Sequence, residues 1–149
     1  MSGPHLRPAR STDAGTVGGI LSDFIVSTPW MPRIHTRAED IAFAGHMIDR
    51  GWVNVAEQAG AVTGFAACDG ENVHALYVAA PVRRLGVGSA LLRHLQAQVN
   101  RLSLWTFQAN NAAQAFYTKH EFVMVEQTGG AGNDEGLPDM RLEWSRKAA

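Results

Sequence analysis

The residues best suited to chemistry are Arg83-Arg84-Leu85-Gly86-Val87-Gly88-Ser89. They stand between an apolar, β-branched stretch, Ala75 to Ala79, and an amphipathic one. In the latter Val87, Leu91, Leu92, Leu95 and Val99 share one helical face. A glycine-rich passage from strand into helix leaves the first helical N–H groups without intrahelical partners. Together with the positive end of the helix dipole, those groups hold phosphate. Arg83 and Arg84 add charge beside them. The Gly-Lys-Ser/Thr of a P-loop is missing, and Leu91 stands where a dinucleotide fingerprint places its third glycine. A phosphate-bearing cofactor is therefore expected. The competing reading is a tight turn whose arginines face solvent.

A second segment narrows the chemistry. Leu102 to Phe107 reads as a strand and is followed by Asn110-Asn-Ala-Ala-Gln-Ala-Phe-Tyr117. Arg83, Gly86 and Gly88 in the first segment, with Asn110, Ala113, Phe116 and Tyr117 in the second, resemble the GNAT superfamily of acyl-CoA-dependent N-acetyltransferases. Leu76, Val78 and Pro81 also sit where that family has its strand residues and following proline. The matching motifs run from about Asn72 to Phe122.

The resemblance implies transfer of an acetyl group from acetyl-CoA to a primary amine, on a small molecule or a peptide. It implies direct attack within a ternary complex. Backbone amides of Leu85, Gly86, Val87, Gly88 and Ser89 would then hold the pyrophosphate, with Arg83 and Arg84 alongside. Leu76, Tyr77 and Val78 would pair with the pantetheine arm, an N–H near Val78 would meet the carbonyl oxygen, and Asn110 would reach the same arm. Tyr117 would be the general acid for the leaving thiolate, since a phenol stays protonated at neutral pH. Many members carry a carboxylate base at or near the position of Asn72, which cannot serve. His74, two residues on and on the same side of the strand, becomes the candidate base and a substrate contact. Glu57 is a more distant candidate, and ordered water is an alternative relay. Trp30, Met31, Arg33 and His35, between the first two helices, are expected at the acceptor. Asn133, Asp134, Glu135 and Asp139 of the late loop are expected opposite them. Glu121 replaces the glycine that commonly precedes the family's phenylalanine, here Phe122, which predicts local strain. The absent carboxylate keeps a second reading open, a non-catalytic acyl-CoA-binding sensor. A different acyl donor or an oxygen acceptor is a third.

Bulk properties fit these expectations. The 149 residues suit a single domain, 1–149, able to bury a core. A formal net charge of -1 gives no electrostatic case for nucleic acid or an anionic membrane. The lone Cys68 excludes an internal disulfide and suits a reducing, cytoplasmic setting. No apolar run is long enough to span a bilayer, and the N-terminus lacks a signal-peptide pattern. The histidines form no metal-ligand spacing, so no metal is expected.

The elements that must position these residues are also readable. A proline-containing edge strand over Leu6 to Ala9 precedes a helix whose core face is Val17, Ile20, Leu21, Phe24 and Ile25. Thr36 to Glu39 is a capping box opening a second helix, stopped by Gly51. Strands Trp52–Glu57 and Ala61–Cys68 make a hairpin, and Asp69-Gly70 turns into the strand ending at Val78. After the helix from Gly86 come a strand, a helix over Ala112–His120, and strands near Phe122–Gln127 and Met140–Trp144. The order β-α-α-β-β-β-α-β-α-β-β predicts an α/β fold, GNAT-like: a mixed, mostly antiparallel twisted sheet with helices on both faces. Free strand edges leave room for a homodimer.

Overall fold

Two apolar cores form on opposite faces of one sheet, because successive strand residues point to opposite sides. On one interior strand Phe65 and Ala67 join a cluster with Val17, Ala44 and Met47, whereas Ala66 joins Val87, Leu91 and Leu92. The computed structural model describes residues 3–147. Its strands are β1 (His5–Pro8), β2 (Val53–Gln58), β3 (Ala61–Asp69), β4 (Asn72–Val78), β5 (Arg101–Phe107), β6 (Val123–Thr128) and β7 (Asp139–Ser145). The helices are α1 (Ala14–Ser27), α2 (Arg37–Asp49), α3 (Val87–Gln98) and α4 (Asn111–Lys119). Short 3-10 turns lie at Ser11–Asp13 and Ala80–Val82. The sheet order is β1-β2-β3-β4-β5-β7-β6, antiparallel throughout except between β4 and β5. This is the mixed, mostly antiparallel sheet that the element order predicted.

Local chemistry explains most boundaries. The Thr36 hydroxyl accepts from the Glu39 amide at 3.1 Å, and the Glu39 carboxylate accepts from the Thr36 amide at 2.8 Å, which closes the expected capping box. Ala59 and Gly60 both adopt positive φ, 51° and 80°, as the two-residue turn between β2 and β3 requires. Glu121 takes φ 71°, so the strain expected of a side chain at that helix end is present. The Asp13 carboxylate accepts from the Arg10 amide at 2.7 Å and pairs with Arg7 at 2.8 Å.

α1 and α2 approach closely at Gly18, where a Cβ would stand 2.5 Å from the Ile41 Cα. Not every residue of the predicted α1 core face is in the core. Phe24 is only half-buried, its ring lining a cavity. Among the described residues no helix is long and apolar enough to cross a membrane. β6 forms a free edge, with Val123 and Met124 more than half exposed at 62% and 51%.

Candidate active site

The site begins where the sheet comes apart. β4 and β5 pair only through Asn72 with Ser103 and Val73 with Leu104. Beyond those pairs β4 stays with β3 and β5 stays with β7. The direction of the β4 backbone groups follows from its register. Thr63 accepts from the Ala79 amide at 2.8 Å, and Tyr77 and Ala75 stand opposite Phe65 and Ala67. Hydrogen-bonded pairs alternate with non-bonded ones in an antiparallel ladder. Ala75, Tyr77 and Ala79 therefore bond β3, while Leu76 and Val78 turn their N–H and C=O groups into the gap. The Val78 carbonyl accepts from Arg83 Nε at 3.2 Å, which leaves the Val78 N–H as a lone donor there.

A cavity of about 550 Å³ follows this edge to the start of α3. Leu76, Tyr77, Val78, Arg83, Arg84, Gly86, Gly88, Ser89, Asn110 and Tyr117 all line it. Phe24, Ala112, Ala113, Phe116 and Lys119 complete the wall, and sequence reasoning did not assign these. Lys119 had a legible signal, a cation on the helix that carries Tyr117. Arg83, Arg84 and Lys119 give the wall three cations and no carboxylate.

The helix start differs from expectation at Leu85. Its amide donates to the Val82 carbonyl at 3.3 Å, closing the turn, and its side chain is 69% exposed outside the cavity. The free donors are instead the amides of Gly86, Val87, Gly88 and Ser89. The first helical bond runs from Ala90 to the Gly86 carbonyl at 3.0 Å. Val87 offers only that amide, since its side chain is buried in the core. Gly86 caps the helix with φ 90°, and Arg84 is held at φ 67°. A Cβ on Gly88 would sit 3.4 Å from the Phe116 ring and 3.6 Å from Val78, so the bare glycine keeps the cavity floor open. The Ser89 hydroxyl is bonded to His120 Nε2 at 3.0 Å, and burial holds that imidazole below its ordinary pKa, as a neutral group.

The two aromatic neighbours on α4 divide between core and cavity. Tyr117 is 7% exposed, its ring edge-on to Phe116 at 5.1 Å and Phe122 at 5.3 Å, while Phe116 is half-buried along the cavity. Burial pushes the Tyr117 phenol well above its ordinary range, and Tyr77 adds to the shift. Tyr77 itself is pushed up to about 12, by burial first and by the Glu135 carboxylate second. Asn110 caps α4, its Oδ1 accepting from the Ala113 amide at 3.0 Å, so only its amide donors are left for a ligand.

The base and acceptor candidates are dispersed. His74 borders a small cavity of about 60 Å³ that also touches Tyr117. Its ring lies flat on Trp52, 4.7 Å between centroids, and its Nε2 stands 3.9 Å from Asp69. Glu57 is paired with Arg7 at 3.0 Å. Asn72 belongs to the closed part of the strand pair. His35 is exposed, Trp30 rests edge-on against Phe107 at 5.8 Å, and neither lines any of the three cavities. A cavity of about 130 Å³ beside the split is lined by Met31, Asn133 and Asp139, all three named for the acceptor from the sequence, and by Phe24, Trp105 and Phe107, which were not. Among the described residues no His, Cys, Asp and Glu side chains form a group of three that could hold a metal.

A sheet split between two parallel strands, with free amides at a glycine-led helix start beside the split, is the architecture of the acyl-CoA-dependent acetyltransferases. The chain belongs to the GNAT acetyltransferase family: the family model described as an acetyltransferase (GNAT) domain matches residues 49–124, half of its length. It is 37% identical over 94 residues to the 5-NmdU N-acetyltransferase of Pseudomonas phage PaMx11. That match covers 56% of this chain and 66% of the phage protein, just under two thirds of its length. Solved structures share the fold. Apo YjaB from Escherichia coli superposes with TM-score 0.81 at 20% identity, covering 99% of this chain and 100% of that one. Ard1 from Thermoplasma volcanium gives 0.77 at 20% identity, covering 99% and 100%. The yncA protein of Salmonella typhimurium, solved with acetyl-CoA, gives 0.75 at 20% identity, covering 99% and 96%.

Proposed function

We propose that this chain transfers an acetyl group from acetyl-CoA to a primary amine. The reading rests chiefly on one observation. A single cavity joins an unpaired strand N–H, that of Val78, to four unpaired helix-start amides flanked by cations. The two ends suit the two ends of an acyl-CoA, an acyl carbonyl and a pyrophosphate. The amides of Gly86 to Ser89 hold the phosphates, with Arg83, Arg84 and Lys119 supplying charge. Leu76 and Val78 offer backbone groups to the amide-bearing arm, and the Asn110 side-chain amide donates from the opposite wall.

In this reading the amine attacks the thioester carbonyl directly. The Val78 N–H stabilises the negative oxygen, a donor worth roughly 3–4 kcal/mol of barrier. As the C–S bond breaks, Tyr117 donates a hydrogen bond to the departing sulfur. An acceptor that enters as an ammonium loses two protons overall: one ends on the CoA thiol and the other goes to solvent. The name of the phage relative makes 5-NmdU a natural first acceptor to try.

The test is thiol release from acetyl-CoA with a panel of primary amines that includes 5-NmdU, beside a calorimetric titration of CoA. Amine-dependent turnover supports the reading. Tight CoA binding without turnover on any amine turns the assignment toward a sensor, and no CoA binding overturns it.

A further inference from the structure

The acceptor side of the split has the opposite charge to the cofactor side, and one carboxylate accounts for it. The 130 Å³ cavity shares Phe24, Tyr77 and Asn110 with the larger one, and Asp139 is the charged residue in its wall. Asp139 opens β7, opposite Phe107 of β5 and Thr128 of β6, and is 8% exposed. Its carboxylate accepts from the Thr128 hydroxyl and from Asn133 Nδ2, the latter at 3.0 Å. Both partners are neutral. Among the described residues no cation pairs with it, and neighbouring Arg141 is committed to Glu126 and Glu143. Buried carboxylates are ordinarily matched by a cation, and here none is supplied by the chain.

The rest of the wall says what kind of cation would fit. Phe24, Tyr77, Trp105 and Phe107 bring four aromatic rings to this small space, with Met31 beside them. Trp105 is 50% exposed, a large apolar surface that stacks on no other ring among the described residues. At roughly 30 Å³ per water the volume holds about four waters, room for a single ring or a short chain. From the lone buried carboxylate and the aromatic wall we infer that this cavity binds the acceptor as a primary ammonium on a flat apolar group, with Asp139 as its counter-ion. The inference rests on the proposed function for which ligand enters, and it names the substrate class: arylmethylamines rather than anionic or bulky aliphatic amines.

Binding separates this inference from turnover. NMR shift titrations of the CoA-saturated protein would use benzylamine, benzyl alcohol and cyclohexylmethylamine. Benzylamine is expected to bind at least about tenfold more tightly than the alcohol, the margin of a hydrogen bond to a charged group. Asp139→Asn should remove that margin while the CoA affinity holds, because Asp139 lies outside the larger cavity. Trp105→Ala should erase the preference for the flat ring over the cyclohexyl one. Equal binding of amine and alcohol to the wild type, no binding of benzylamine, or an unchanged affinity in a folded Asp139→Asn protein each overturns the inference. Should that variant lose CoA binding as well, the wild-type comparison of amine with alcohol decides. A failure of every amine to release thiol would count against the proposed function and leave this binding result standing.

Discussion

Replacing Tyr117 by Phe tests how the proposed site handles the leaving thiolate. A free phenol has a pKa of about 10 and a free thiol about 8.5, so complete proton transfer from tyrosine to thiolate is uphill by roughly 2 kcal/mol. Burial of Tyr117 raises its phenol further and makes that transfer costlier still. The phenol is therefore better suited to donating a hydrogen bond to the developing thiolate than to surrendering its proton. A hydrogen bond to a charged group is worth about 1.5–3 kcal/mol, which predicts a fall in kcat of roughly 10- to 150-fold in Tyr117→Phe. Phenylalanine keeps the ring contacts with Phe116 and Phe122, so CoA affinity should stay within about twofold of wild type. The assay is thiol release at saturating acetyl-CoA and amine from pH 6 to 10, with a parallel CoA titration. Loss beyond about 1000-fold at unchanged CoA affinity would show that proton transfer is obligatory, against this reasoning. Loss below about threefold would show that the hydroxyl does not meet the sulfur.

Three further outcomes are expected. Arg84 holds a left-handed backbone at φ 67°, so Arg84→Gly should melt no lower than Arg84→Ala; its relief of about 1–2 kcal/mol exceeds glycine's entropic cost of about 0.5–1. Both variants should lose CoA affinity about equally, and the loss should shrink as salt is raised. Gly18→Ala pushes a methyl to 2.5 Å from the Ile41 Cα, which should cost about 2–3 kcal/mol and lower Tm by roughly 4–12 °C in a calorimetric scan. His120 has a depressed pKa in the fold, so its contribution is full above the ordinary histidine value and is lost as pH falls below it. His120→Gln should flatten the decline of Tm as pH falls below about 6.5 without abolishing folding.

The sequence is most legible where chemistry repeats along the chain. The capping box at Thr36 and the glycine at the start of α3 each require particular residue types at fixed offsets, and each forms as expected. Residues whose roles depend on distant strands are less legible. Leu85 sits inside the phosphate-binding motif, yet its amide is spent on Val82, a matter of turn geometry that the motif does not encode. Phe24 has the spacing of a core residue and lines a cavity because the sheet opens beneath it. Trp30 and His35 fall in the segment expected at the acceptor, but a loop's residue types do not fix which of its side chains turn inward. Of the residues expected there, Met31 does line the smaller cavity, as do Asn133 and Asp139 from the other side, whereas Phe24, Trp105 and Phe107 reach it unannounced by any motif.

That register also explains why the split lies where it does. β5 is paired with β7 along its whole length, from Arg101 with Ser145 to Phe107 with Asp139. β4 is likewise paired with β3 from Asn72 to Val78, except at a bulge that leaves His74 without a partner. Each strand thus spends most of one edge within its own antiparallel half, and among the described residues the two parallel pairs at Asn72 and Val73 are the ladder joining the halves. Beyond them the twist of each half separates the strands. The separation leaves the inward N–H and C=O groups of Leu76 and Val78 without ladder partners. Groups of this kind cost about 1–3 kcal/mol each if they are buried unmet, so a fold that keeps them in its middle needs either water or a ligand with matching amides. Arg83 meets the Val78 carbonyl from within the chain, and no side chain does the same for the Val78 N–H. Of the polar groups at the split, the unmet strand N–H groups are of the kind that a developing oxyanion would need.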